Sequence, residues 1–259
     1  MLSFSRILGK FKRSARDARH GKDPVISDFV FICGLHRSGT TLLENLMVSR
    51  FEISCLRGNV PENEGQHLQS VYSPASRFGG PGRFALNEEM QAELHRLDDH
   101  VSCRKLIWQD WRRHVVGTSP VLVEKSPPNL TKIWWLRRVF PNSRFVIMSR
   151  DPRAVSAATQ KWTNATLAEL MKNWDVAYSA CLKDFNESDC IIIRYEDLAA
   201  DPDREMQRIA TFLGLTSRAK SLEIAGRFNV ISNTNEKYLA AHGNADYGNG
   251  AWRSFGYDF

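Results

Sequence analysis

The stretch "DFVFICGLHRSGTTLLENLMVSR", residues 28–50, narrows the fold more than any other part of the chain. Its first six residues are apolar and aromatic enough for a buried strand, and Thr40–Arg50 carries helical periodicity. A strand that turns this tightly into a helix is covered by it, and the next parallel strand can follow only after that crossover. The alternation returns downstream. "VLVE" (121–124), "SRFVIMSR" (143–150) and "CIIIRY" (190–195) read as strands. "LTKIWWLRRVF" reads as a helix stopped by Pro141, and "DPRAVSAATQKW" as one with an Asp151 cap and Pro152 in its first turn. Further helices are expected near 167–186 and from "DPDREM" to Gly214. Leu86, Met90, Leu94, Leu97 and Val101 recur at spacings of three and four, which predicts one long amphipathic helix over about 86–115. The expected fold class is α/β: a three-layer α/β/α arrangement around a central, mostly parallel sheet.

The last forty residues lack a period. "AHGNADYGNGAWRSFGYDF" is expected to be a loop-like segment packed by its aromatics. No linker interrupts 25–259, so one domain is expected there, preceded by a basic arm at 1–24. The chain has 259 residues and a net charge of +6, which invites a nucleic-acid reading. Location removes it: residues 1–22 hold seven Lys or Arg and one acid, and the rest is balanced. Leu2, Phe4, Ile7, Leu8 and Phe11 give the arm a weak apolar stripe. It reads as a solvated terminus, with peripheral contact on an anionic membrane as the sharper alternative. No stretch has the roughly 18 uncharged apolar residues that a membrane span needs, and no signal core opens the chain. Cys33, Cys55, Cys103, Cys181 and Cys190 are odd in number and lack metal-ligand spacing. Reduced packing cysteines and a cytoplasmic setting are the expectation.

"GLHRSGTT" (34–41) has the frame of a phosphate-binding loop, with Gly34 and Gly39 at the usual spacing. Backbone N–H groups converge in such a turn and the following helix adds its dipole. The usual lysine, however, is Thr40, followed by Thr41. A triphosphate with its Mg²⁺ is then poorly served, and Arg37 and Ser38 supply cation and hydroxyl instead. Ligands of open parallel sheets bind beyond the carboxyl ends of the strands. Arg150 ends one strand there and Lys125 another, so the loop and two cations should share an edge. That predicts a nucleotide phosphorylated at two separate places.

In "FICGLHRSGTTLL", "EKSPPNL", "FPNSRFVIMSRDPRAV" and "IIIRYEDLAADP" the chain resembles sulfotransferases that use 3′-phosphoadenylyl sulfate (PAPS), with the motifs in family order over about 28–215. "FGYDF" is similar to the family's C-terminal portion, and the likeness is greatest to the bacterial and tyrosylprotein-type branches. The resemblance implies a P-loop sulfotransferase-like fold and metal-free, in-line sulfuryl transfer from PAPS to a hydroxyl or amine. It assigns Arg37, Ser38, Gly39, Thr40 and Thr41 to the 5′ phosphosulfate, Arg150 to the 3′ phosphate, and Tyr195 to the border of the nucleotide site. Lys125, with Arg37, would stabilise charge on the bridging oxygen. One position departs from the pattern. The serine usual eight residues after the arginine is Ala158, and Thr159 or Ser156 would have to supply its hydroxyl.

The tyrosylprotein-type branch carries a glutamate base after the first helix and second strand. "NVPENEGQHL" occupies that region and offers Glu64 first, Glu62 second and His67 third. Segment 65–85 is expected to be a flexible, aromatic wall of the acceptor pocket, for a small-molecule, glycan or peptide acceptor. In "WQDWRRH" (108–114) the tryptophans are expected to pack the long helix. Two other functions are weighed against this one. A P-loop kinase of small metabolites would need the loop lysine and a Mg²⁺-holding acid; a degenerate nucleotide-binding protein would rest on Ala158 and the basic arm.

Overall fold

The computed structural model describes residues 25–223, 226–228 and 231–259. The basic arm at 1–24 lies outside the described residues. Six strands form one sheet: β1 (Asp28–Cys33), β2 (Ser54–Leu56), β3 (Val115–Val116), β4 (Val121–Lys125), β5 (Ser143–Ser149) and β6 (Cys190–Arg194). Their order across the sheet is β3-β2-β4-β1-β5-β6. All pair in parallel except β3, which runs antiparallel to β2 at the edge.

The sheet is buried on both faces, and alternation within single strands divides the two cores. Phe31, Cys33, Phe145 and Ile147 point to one face; Val30, Ile32, Val146 and Met148 point to the other. The first core is covered by α3 (His100–Trp111), α4 (Ile133–Val139) and α6 (Leu167–Asp184), through Ile107, Trp111, Leu136, Trp174 and Tyr178. α1 (Thr40–Arg50) and α8 (Pro202–Leu213) cover the second with Leu43, Met47, Met206 and Ile209. Each such side chain contributes roughly 1.5–3 kcal/mol when fully buried. The remaining helices are α2 (Glu88–Arg96), α5 (Pro152–Gln160), α7 (Tyr195–Ala200) and α9 (Glu236–Leu239).

The expected helix over 86–115 is two helices. Asn87 caps α2 by accepting from the Glu89 N–H, and Asp99 caps α3 by accepting from the Ser102 N–H. Two N-caps within one apolar period restart the helix, so capping chemistry overrides the three-four spacing. Met90 and Leu94 are buried, whereas Val101 is 69% exposed. The "LTKIWWLRRVF" helix begins only at Ile133, because Pro127 and Pro128 shape a 3₁₀ turn over Pro127–Thr131. Tyr195 opens α7 rather than ending β6. Segment 65–85 is not a loose wall: its 3₁₀ turns bury Phe78 and Phe84 in the core, and Tyr72 is buried between the turns. The C-terminal segment packs through its aromatics as expected, with Phe255 against Trp174 (5.7 Å) and Tyr178 (4.9 Å). Trp111 is buried and Trp108 half-buried, and all five cysteines are free and buried.

Candidate active site

The carboxyl ends of β4, β1 and β5 lie side by side, with Ile32 paired to Lys125 and Cys33 to Ile147. The loop 34–39 leaves this edge. Ser38 braces it from inside, since its backbone N–H and its hydroxyl both donate to the Leu35 carbonyl, at 3.1 and 2.6 Å. Gly39 has φ 103°, and a Cβ there would lie 2.9 Å from Met148 Cε and 3.1 Å from the Tyr195 ring. Only glycine permits that turn. No side chain caps α1, so the N–H groups of its first turn remain available to an anion. Thr40 is buried in that turn and Thr41 half-buried. Arg37 takes φ 69°, is exposed, and places its guanidinium 4.9 Å from the Trp162 ring centroid.

Arg150 is the buried hub of the same edge. Its Nη1 donates to the Arg37 carbonyl (2.9 Å), Nη2 to Thr234 Oγ1 (3.0 Å) and Nε to Asn235 Oδ1 (2.8 Å). Its guanidinium lies 4.2 Å from the Tyr195 ring centroid and 5.5 Å from that of Tyr238. Burial lowers the Arg150 pKa, against the opposing pull of Tyr195, Tyr238 and Glu196. Burial alone would raise the Tyr238 phenol. A hydrogen bond from Arg37 and the charges of Arg37, Arg150 and Lys161 bring it below its usual value instead. An acidified phenol among three cations marks a locally positive surface.

Across the edge, Lys125 Nζ lies 3.2 Å from Glu64 Oε1, and both side chains are buried. Gln66 Nε2 donates to Glu64 Oε2 at 2.5 Å, and His67 Nε2 stands 3.8 Å from the same oxygen. The Glu64 segment is held in place by Glu124, which precedes Lys125 on β4. Glu124 accepts from the Gly65 N–H (2.8 Å), Ser126 Oγ (2.5 Å) and Asn129 Nδ2 (2.6 Å). Its burial raises its pKa, partly countered by those three donors and Lys125. A Cβ on Gly65 would come 2.6 Å from Glu124 Cγ, so the close approach requires glycine. Burial, with the charges of Lys125 and His67, pushes His36 down to about 3 and keeps its imidazole neutral.

A profile of the sulfotransferase family matches residues 29–219, which include the loop, Glu64, Lys125, Arg150 and Tyr195. The chain belongs to the sulfotransferase family. Protein-tyrosine sulfotransferase 2 of Gallus gallus is 30% identical over 201 residues, covering 72% of this chain and 51% of that protein. Protein-tyrosine sulfotransferase A of Caenorhabditis elegans is 25% identical over 199 residues, covering 73% and 50%. The chain thus spans about half the length of the curated relatives it matches. The sulfotransferase domain of a Synechococcus olefin synthase superposes with a TM-score of 0.53 at 18% identity, covering 93% of this chain and 98% of that one. The sulfotransferase domain of the curacin biosynthetic pathway gives 0.55 at 19%, covering 92% and 99%. At these identities the structural likeness is one of fold.

Within the chain the sequence candidates separate. Arg37, Gly39, Thr40, Thr41, Arg150 and Tyr195 gather around the loop and the Arg150 hub; Lys125 and Glu64 form the neighbouring pair. Glu62 is exposed at φ 45° in the turn before Glu64 and stands outside the pair. Ser38 serves the loop's shape, because its hydroxyl proton is directed at Leu35. Thr159 is buried, and its unpartnered hydroxyl lines a small cavity with Leu35, His36 and Ser156 rather than joining the donors around Arg150. Ala158 is buried too. Contributors that escaped the sequence reading include Glu124, Glu196, Thr234, Asn235 and Tyr238. Glu196 accepts from the Asp151 N–H (3.0 Å), Asn235 Nδ2 (2.7 Å) and Tyr257 Oη (2.8 Å), tying the Arg150 hub to the C-terminal "FGYDF". A charge inside the apolar run "VLVEK" was the available signal for Glu124; Asn235 and Tyr238 sit in a segment without periodicity and gave none.

Proposed function

We propose that this chain transfers a sulfuryl group from PAPS to a hydroxyl acceptor, with a peptide tyrosine as the first acceptor to try. The observation that carries this reading is the buried Glu64–Lys125 pair beside a lysine-free loop and the Arg150 hub. The residues suit such a donor. α1 presents an uncapped N-terminus to the 5′ side with Arg37 beside it, and Arg150 is held by neutral oxygens of Thr234 and Asn235 that a 3′ phosphate can displace. Glu64 takes the proton of the acceptor hydroxyl as its oxygen attacks sulfur. Lys125 turns from Glu64 to the bridging oxygen, where negative charge collects as the sulfur–oxygen bond breaks. Tyr195 packs against the Arg150 guanidinium and borders the nucleotide.

Support for a tyrosine acceptor comes from relatives named for that activity. The decisive experiment is a thermal shift followed by transfer. 3′-Phosphoadenosine 5′-phosphate should raise the melting temperature, ATP with Mg²⁺ should not, and labelled sulfate should pass from PAPS to a tyrosine peptide. Equal stabilisation by both nucleotides favours a kinase. Stabilisation without transfer to any hydroxyl acceptor favours a nucleotide-binding protein that has lost its chemistry.

A further inference from the structure

One cluster of buried polar atoms beside the phosphate loop takes no part in the candidate site. A cavity of about 10 Å³ lies between the loop and α5, with Leu35 and His36 from the loop and Ser156 and Thr159 from the helix in its wall. Asn173 of α6 also lines it, and its Oδ1 accepts from the Ala85 N–H at 3.2 Å. Three buried atoms of the lining residues, His36 Nδ1, Ser156 Oγ and Thr159 Oγ1, have no hydrogen-bond partner among the described residues. Ser156 is 1% exposed and Thr159 3%. Buried polar atoms are rarely left unmatched, and three in one place call for a shared partner. The volume is about the smallest that admits one water, and buried waters make about three hydrogen bonds to groups of this kind.

We propose that this cavity binds one water molecule, which ties His36 of the phosphate loop to Ser156 and Thr159 of α5. Counting donors sets its orientation. Both hydroxyls must place a proton, and the two lone pairs of the water accept them. The water then donates to His36 Nδ1. An Nδ1 that carried the ring proton would take one of those lone pairs and leave a hydroxyl proton without an acceptor. Burial, with the charges of Lys125 and His67, keeps His36 neutral, so its one ring proton sits on Nε2. Arg37, the next residue, adopts φ 69°, a conformation uncommon outside glycine. Arg150 Nη1 holds its carbonyl at 2.9 Å, and the water-bound His36 holds the residue before it. His36 is thus a positioning residue that steadies the backbone carrying Arg37, a role that rests on the proposed sulfuryl transfer.

The tautomer can be read without any substrate. In the full chain with isotope-labelled histidine, long-range proton–nitrogen correlations should show His36 with its proton on Nε2 alone. Ser156→Ala with Thr159→Val removes both donors and should shift the Nδ1 resonance; Thr159→Val alone should shift it part of the way, and Thr159→Ser should leave it in place. The double variant should turn over about tenfold more slowly, because a small misplacement of Arg37 is enough. 3′-Phosphoadenosine 5′-phosphate should still raise its melting temperature and show that it is folded. A wild-type ring with its proton on Nδ1, or an Nδ1 resonance indifferent to the variants, would overturn the water site. Undiminished turnover in the double variant would remove the positioning role. A loss of affinity for 3′-phosphoadenosine 5′-phosphate in Thr159→Val, with adenosine 5′-phosphate unaffected, would overturn both by assigning Thr159 to the 3′ phosphate. If the wild type transfers no sulfate, the proposed activity fails on its own, and the tautomer still decides the water site.

Discussion

Lys125 and Glu64, 61 residues apart in sequence, meet as a buried ion pair with Nζ 3.2 Å from Oε1. Under the proposed function, the pair sets the base and the cation for the leaving oxygen side by side before any ligand arrives. Removing Lys125 alone would strand a buried carboxylate, at a cost of about 3–5 kcal/mol, and confuse stability with chemistry. Glu64→Gln also leaves Lys125 without its counter-charge, but it keeps the volume and an amide oxygen that accepts from Nζ, so folding is checked alongside turnover. Turnover should fall by roughly 10²–10⁴-fold, the usual worth of a positioned general base. The thermal shift with 3′-phosphoadenosine 5′-phosphate should be unaltered. Full turnover in Glu64→Gln would remove the base assignment.

Gly65 offers a second route to the same pair. A Cβ there falls 2.6 Å from Glu124 Cγ and 2.7 Å from its Oε1. Gly65→Ala should push the Glu64 segment off β4 and cost about 1–3 kcal/mol by overpacking. Turnover should drop with nucleotide affinity nearly intact, because the loop and Arg150 do not lean on Gly65. An equal loss of nucleotide affinity, measured by calorimetry, would contradict that separation.

What could be read from the sequence followed the physics of local pattern. β1, β4 and β5 are short apolar runs beside Gly or Pro, β6 is one after the polar run "NESD", and the loop, Lys125 and Arg150 follow from strand ends in a parallel sheet. β2 and β3 have three and two residues, too few to establish a period. The break between α2 and α3 lay in Asn87 and Asp99, whose capping value was hidden beneath an unbroken apolar spacing. The Arg150 hub was half legible. Its guanidinium was placed by β5, but Thr234, Asn235 and Tyr238 reach it through tertiary contact from a segment with no repeat. The direction of the Thr159 hydroxyl was not legible either: spacing along a helix ranks neighbours by number, whereas its orientation into the cavity beside Leu35 and His36 depends on what packs over α5.

Arg150 donates to three oxygens, two of them on the side chains of Thr234 and Asn235. Arg150→Ala should weaken 3′-phosphoadenosine 5′-phosphate by roughly 10- to 100-fold, the worth of losing charged hydrogen bonds. Adenosine 5′-phosphate, which lacks the 3′ group, should lose much less. Comparable losses for both nucleotides in a titration would show that Arg150 acts on the fold rather than on the 3′ phosphate.

Lys132 is buried with its Nζ 3.8 Å from the Tyr72 ring centroid. Burial lowers its pKa from 10.5 to about 7, against the opposing charges of Glu93 and Glu124. The folded chain therefore releases this proton while the unfolded chain still holds it. Between about pH 10.5 and pH 7 the unfolded state binds more protons, so stability from this group falls as pH is lowered through that window. Below it both states are protonated and the penalty is constant, on the order of a few kcal/mol. Lys132→Met keeps the volume and removes the titration. The variant should unfold at higher denaturant than the wild type near neutral pH, and the gap should close toward pH 10. A gap independent of pH in paired denaturation curves would mean that Lys132 stays charged, held by the Tyr72 ring, throughout that range.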